Sequence, residues 1–62
     1  MPVREIACVV WDRRNHDIEV TYIGHEAEHF FGSEDVATAL ALDAGLKCVP
    51  TPEGIRRWVS RG

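Results

Sequence analysis

The sequence predicts one small α+β domain: an antiparallel three-stranded meander with one packed helix and a short C-terminal helix. Three observations predict this class. Residues 3–31 alternate β-branched and aromatic runs with polar turn clusters, as in strands joined by turns. Residues 33–44 place apolar side chains at helical spacing between a serine and a glycine. The 62 residues suffice for a single domain, residues 1–62. The predicted order is β-β-β-α-(β)-α.

The first two strands are predicted from residue type and alternation. Val3 to Trp11 is rich in β-branched and aromatic residues, and its stretch from Ile6 onward is apolar on both faces. This favours a central strand, covered by a helix on one side and by another subunit on the other. Residues 12–17 form a polar turn cluster, and Ile18 to Ile23 is the second strand. Its alternation points Ile18, Val20 and Tyr22 one way.

Residues 27–31 are open to two interpretations. After a turn at Gly24, Ala27 to Phe31 can form a third strand and complete a meander. Alternatively, His25 to Phe31 can form a helix of two turns at most, between Gly24 and Gly32. Because so short a helix is weak without tertiary support, we favour the strand.

The helix from Ser33 to Ala44 has clear boundaries. Ser33 is a good N-cap, two acids follow it in the first turn, and Gly45 is the expected stop. A stripe at helical spacing is expected to face the sheet. Its members are Val36, Ala37, Leu40 and Ala44. A short extended segment, residues 46–49, follows.

The C-terminal segment also has two interpretations. Thr51 followed by Pro52 is typical of a helix start, and Ile55, Trp58 and Val59 would share one face of a helix over residues 52–60. The competing interpretation makes residues 52–54 a turn that leads into a final strand. The helix is our prediction.

Composition limits the location and the redox state. No apolar run approaches the roughly 20 residues that span a bilayer, and residues 1–11 lack a signal-peptide pattern. We therefore expect a cytoplasmic protein without membrane contact. In that reducing compartment Cys8 and Cys48 are expected to remain thiols.

The run His25-Glu26-Ala27-Glu28-His29 fits the H-E-x-x-H pattern of zinc peptidases. That chemistry needs a long helix, a third protein ligand and a cleft, and a 62-residue chain has little material for them. We do not expect an enzyme. A zinc-binding protein that uses His25 and His29, with Cys8 and Cys48 as further candidates, remains a second alternative, although the sequence has no C-x-x-C pair. No cofactor is predicted.

Two pairs of arginines favour a first alternative, nucleic-acid binding. Arg13 and Arg14 lie at a predicted hairpin tip, and Arg56 and Arg57 precede Trp58, which could stack on a base. Residues 54–62, GIRRWVSRG, resemble the recognition helix of excisionase-like winged-helix proteins, which implies a helix that contacts DNA. In those proteins the preceding helix is closer in sequence to the recognition helix than the predicted helix over residues 33–44 is to residues 54–62. The sequence pI near 5.4 is also unlike that of most DNA-binding domains.

The acidic middle of the chain supports the leading prediction. Between residues 15 and 46 there are seven acids and no Lys or Arg, whereas the stretch from Lys47 onward has four bases and one acid. Such blocks are typical of interaction surfaces. We predict a non-enzymatic protein that binds another macromolecule, with a protein as the favoured partner, and that forms a homodimer. It would act as an inhibitor or regulator of the kind found in phages and mobile elements. The predicted partner-binding residues are Glu26, Glu28, Phe30, Glu34 and Asp35.

Overall fold

The structure, a computed structural model, describes residues 5–61. These residues form five strands and one helix in the order β-β-β-α-β-β. The elements are β1 (Ile6–Asp12), β2 (Asp17–Tyr22), β3 (Glu28–Phe31), α1 (Glu34–Asp43), β4 (Lys47–Val49) and β5 (Ile55–Val59). All pairings are antiparallel, and the strand order across the sheet is β3-β2-β1-β5-β4. The prediction of an α+β domain is confirmed, but the three-stranded meander is only part of a five-stranded sheet.

β1 is the central strand, as predicted. It pairs with β2 on one side and with β5 on the other. Residues 3 and 4, which the sequence assigned to this strand, lie outside the described residues. The register between β1 and β2 shifts between Ile6 and Cys8, so Ala7 is an extra residue in a bulge. Its carbonyl accepts a hydrogen bond from the Ser60 backbone N–H at 3.1 Å.

The core lies between the helix and one face of the sheet. Val9 on β1 lies opposite Val20 and Trp58 on the two neighbouring strands, and all three side chains are buried. The helix packs over β1 and β5. It contacts the sheet through Ala37 and Ala41, both fully buried, because their small side chains let the two backbones approach closely. We call this the covered face of the sheet.

Helix α1 begins and ends where the sequence predicted, but it presents a different face. Ser33 is the N-cap, and its Oγ accepts a hydrogen bond from the Val36 N–H at 3.4 Å. The predicted sheet-facing stripe included Val36 and Leu40, and this part of the prediction is wrong. Both side chains are exposed, because the helix rests on its two alanines and turns the larger residues toward one flank.

The predicted C-terminal helix over residues 52–60 is wrong, and the competing strand interpretation is correct. Thr51 does not cap a helix; its hydroxyl donates to the carbonyl of Ile55. Residues 52–55 form a turn closed by the Ile55 N–H on the Pro52 carbonyl at 3.2 Å, with Gly54 at φ +87°. β5 then pairs along β1, which buries Trp58 in the core. The likeness of residues 54–62 to a winged-helix recognition helix therefore does not extend to structure, although Gly62 itself lies outside the described residues.

Within residues 5–61, no helix is long and apolar enough to cross a membrane, since α1 has only ten residues.

Candidate functional site

The exposed edge of the sheet at β3 combines a free strand edge with large apolar side chains. Among the described strands β3 pairs with β2 alone, so every second residue along it directs its backbone N–H and C=O away from the sheet. Phe30 lies opposite the buried Ile18 and therefore on the covered face, yet 46% of its surface is exposed. The physical reason is that the helix packs over β1 and β5 and stops short of β3. The position of the helix thus leaves the Phe30 ring exposed next to the unpaired edge of β3.

The flank of α1 that faces β3 extends this apolar surface. Gly32, the residue after β3, has no side chain, but a Cβ built onto it would lie 3.9 Å from the Cβ of Val36. Val36 therefore lies on the side of α1 that is nearest to the end of β3. Leu40 lies one turn further along the same flank. The two side chains are 50% and 36% exposed. We call Phe30, Val36 and Leu40 the edge surface. The sequence predicted Phe30 as an anchor but placed the other two in the core.

The structure separates the four predicted acids into two groups. Glu26 and Glu28 lie at the beginning of β3, whereas Glu34 and Asp35 lie in the first turn of α1, beyond the other end of the strand. Since β3 has four residues at about 3.3 Å each, the two groups are roughly 10 Å or more apart. Glu34 turns toward β5, where Arg56 Nε lies 3.4 Å from its Oε2. We call Glu26 and Glu28, at one end of β3, and Asp35, beyond its other end, the acidic rim.

His29 belongs to a separate polar cluster on the other face of the sheet. Its Nδ1 lies 2.8 Å from Asp17 Oδ2, and its Nε2 lies 3.5 Å from Glu19 Oε2. The hydrogen bond to Asp17, followed by the charges of Asp17 and Glu19, raises the pKa of His29 above its ordinary value of 6.5. The cluster is exposed, so solvent screens it. The acids that act on His29 are therefore those of β2, which only strand pairing brings beside it.

The structure does not bring the candidate metal ligands together. His25 lies in the turn before β3, while both ring nitrogens of His29 face carboxylates of β2. Cys8 lies opposite Val59 on the uncovered face, and Cys48 lies opposite Trp58 on the covered face. No group of three or more His, Cys, Asp or Glu residues in the described part of the chain could hold a metal ion. A peptidase arrangement also lacks its helix, because residues 28–31 are a strand.

The four arginines of the nucleic-acid alternative do not form one basic surface. Arg13 and Arg14 lie in the turn between β1 and β2, as predicted. Arg56 and Arg57 are neighbours on a strand, so they point to opposite faces of the sheet. Trp58 is buried and cannot stack on a base.

The face of the sheet opposite the helix forms a second candidate surface, and the strand register defines its rows. The middle row runs across all five strands as His29, Glu19, Val10, Arg57 and Val49. A second row runs through Thr21, Cys8, Val59 and Lys47, and a third through Phe31, Asp17, Asp12 and Ile55. We call this the open face. Because side chains alternate between the two faces of any strand, these rows could have been derived from the sequence had residues 55–59 been assigned as a strand.

No protein-family model, curated protein or solved structure matches this chain significantly. Its function must therefore be inferred from its own residues.

Proposed function

We propose that this chain is a non-enzymatic interaction protein that binds another protein at the edge surface and its acidic rim. The observation that carries the proposal is the half-exposed Phe30 on the edge strand β3, with Val36 and Leu40 on the adjacent helix flank. An apolar centre with a charged rim is the usual anatomy of a protein interface. Exposed large aromatics of this kind commonly contribute most of the binding energy.

The chemistry of this surface specifies the kind of partner. The outer edge of β3 can accept an extended segment as an additional antiparallel or parallel strand through backbone hydrogen bonds. Glu26 precedes β3, Glu28 is its first residue, and Asp35 lies beyond its other end. We therefore expect a partner segment with apolar residues at alternate positions and Lys or Arg near its ends. A protein that binds its target in this way acts as an inhibitor or regulator by covering that segment.

The partner is to be found by capture from the native cell with the purified protein, followed by mass spectrometry. Affinity is then measured by calorimetry for the wild type and for Phe30→Ala. Removal of a central aromatic anchor typically costs about 2 kcal/mol or more, so we expect Kd to rise by about 30-fold or more. Leu42→Ala is the matched control, because Leu42 is exposed on α1 but lies away from the flank that faces β3.

The acidic rim is tested separately with Glu26→Gln, Glu28→Gln and Asp35→Gln combined. Loss of these charges should slow association, most strongly at low salt, because rim charges act mainly on the encounter rate. The control replaces Asp43 and Glu53, which lie away from β3. Unchanged affinity in both Phe30→Ala and the triple variant would refute the proposed surface.

A further inference from the structure

The open face carries a central apolar patch that no element of residues 5–61 covers. Cys8, Val10 and Val59 lie side by side on β1 and β5, and each is only partly buried. Cys8 and Val10, with Thr21, Pro52 and Ile55, line a shallow groove across the middle of the sheet. The two ends of this groove carry opposite charges, because Glu19 lines it on β2 and Arg57 on β5.

The opposite charges lie at one level of the sheet. Val10 is the direct partner of Glu19 on β2 and of Arg57 on β5. The acid and the base therefore flank Val10 symmetrically, each one strand away, or about 4.8 Å in the plane of the sheet. Of the other charges on this face, Asp17 lies on the acidic β2 side and Lys47 on the β4 edge. Asp12 lies on β1 itself, where its carboxylate accepts hydrogen bonds from the Arg14 N–H and from Asn15 Nδ2 in the adjoining turn.

We propose that a second copy of this chain covers the open face, related by a two-fold axis that passes above Val10 and runs parallel to the strands. This rotation places β2 of each copy over β5 of the other. Glu19 of each copy then faces Arg57 of the other, which gives two such contacts, and Val10 packs on Val10 of the second copy. Phe31, which projects from this face and is 86% exposed, then lies over the partner's segment between β4 and β5.

The charge pattern selects this arrangement among face-to-face dimers. A two-fold axis perpendicular to the strands would place Glu19 on Glu19 and Arg57 on Arg57, which is repulsive. The parallel axis instead gives the aligned packing of two sheets about 10 Å apart that is usual in β-sandwiches. This interface is independent of the proposed function, because Phe30 lies on the covered face of the sheet and does not take part in it.

The size of the face sets the expected strength. Five strands span about 24 Å, and three rows of side chains span roughly 17 Å, so the projected area is about 400 Å² per copy. Allowing for the relief of the side chains, the two copies together bury about 1,000 Å², the lower limit of specific interfaces. We therefore expect a reversible dimer with Kd in the micromolar range.

A charge exchange tests the arrangement by sedimentation velocity over about 1–300 μM, a range that brackets micromolar affinity. Glu19→Arg and Arg57→Glu should each weaken the dimer by about tenfold or more, since each creates two like-charge contacts. The double variant Glu19→Arg/Arg57→Glu restores both contacts and should recover wild-type association to within about threefold. Asp43→Arg, at the end of α1, is the control and should leave the dimer dissociation constant unchanged. Circular dichroism of each variant shows that the fold is retained.

The two native cysteines provide a second test. In Cys48→Ser the remaining Cys8 lies on β1 directly beneath the axis and faces its own symmetry mate, so a bis-maleimide with a spacer of about 8 Å should join two copies across sheets about 10 Å apart. In Cys8→Ser the remaining Cys48 lies on the covered face and should not be joined.

A monomer at every concentration would overturn the proposal. So would a dimer that the single charge reversals leave intact, that the double variant fails to restore, or that forms crosslinks through Cys48 instead of Cys8. Loss of partner binding in Phe30→Ala with an unchanged dimer supports both proposals. An unchanged dimer without any captured partner would leave the interface standing and remove only the proposed function.

Discussion

The clearest energetic contrast in this protein is between two valines that the sequence treats alike. Val9 and Val36 both occupy positions predicted to be apolar and packed, but the structure leaves 0% of Val9 exposed and 50% of Val36. Val9→Ala removes about two methylene equivalents, or about 1.6 kcal/mol of transfer free energy. A cavity contribution of about 1 kcal/mol adds to this, because Val9 lies between neighbouring strands and the helix and the site cannot collapse fully. We expect a total cost of about 2.5 kcal/mol.

This cost is large for a chain of 62 residues. Such a domain has a free energy of unfolding of about 3–9 kcal/mol, and its unfolding entropy of about 0.13 kcal/mol/K converts the loss into a Tm lower by about 15–20 °C. Val36→Ala makes the same chemical change on the helix surface. It loses at most about 0.8 kcal/mol of burial and gains about 0.6 kcal/mol of helix propensity, so Tm should move by less than about 4 °C.

Both variants are compared by thermal and urea unfolding at one protein concentration, because dimer formation would make Tm depend on concentration. Equal destabilisation by the two substitutions would show that α1 packs through Val36, and the assignment of the edge surface would then fail. A neutral Val9→Ala would contradict the position of the core.

Three further predictions concern single sites. NMR titration of the ring of His29 should give a pKa above 6.5, and Asp17→Asn should lower it, because the hydrogen bond to Asp17 is the main cause of the raised value. Since the pKa of His29 is higher in the folded than in the unfolded state, protonated His29 stabilises the fold fully below the unfolded-state pKa, and this stabilisation is lost as pH rises through the folded-state pKa. A pKa of His29 that Asp17→Asn leaves unchanged would contradict the contact. Ser33→Ala removes the N-cap of α1 and should cost about 1 kcal/mol in urea unfolding, whereas Ser33→Asp keeps a capping oxygen, serves as the comparison and should cost less. Gly54→Ala should cost about 1–2 kcal/mol because its φ of +87° is unfavourable for any residue with a Cβ, even though no atom lies within 4 Å of the added methyl group; a neutral substitution would show that the turn into β5 is not formed in this way.

Local patterns were sufficient where one signal had no competitor. Ser33 and Gly45 bound α1 because capping and the left-handed C-terminal glycine act within a few residues. The alternation in residues 18–23 predicted which face of β2 is buried, and Ile18 and Val20 are buried accordingly. These features depend on contacts close in sequence.

The C-terminal segment shows why local patterns failed elsewhere. Thr51 followed by Pro52 fits both a helix start and a turn, and Ile55 to Val59 has apolar residues at positions that suit either a helix or a strand. Pairing with β1, more than 40 residues earlier, decided between them, because it satisfies the backbone of the central strand and buries Trp58 against Val9.

The sequence by itself determined the α+β class, an acidic middle, a basic C-terminal part, two strands, a third that was favoured, and one capped helix. Only the tertiary structure decided that the sheet has five strands and that α1 packs through alanines over β1 and β5. The position of α1 depends on the whole sheet, since one ten-residue helix cannot cover five strands. It leaves Phe30 exposed at one edge and a charged, apolar face on the opposite side, and both candidate surfaces arise from this incomplete cover.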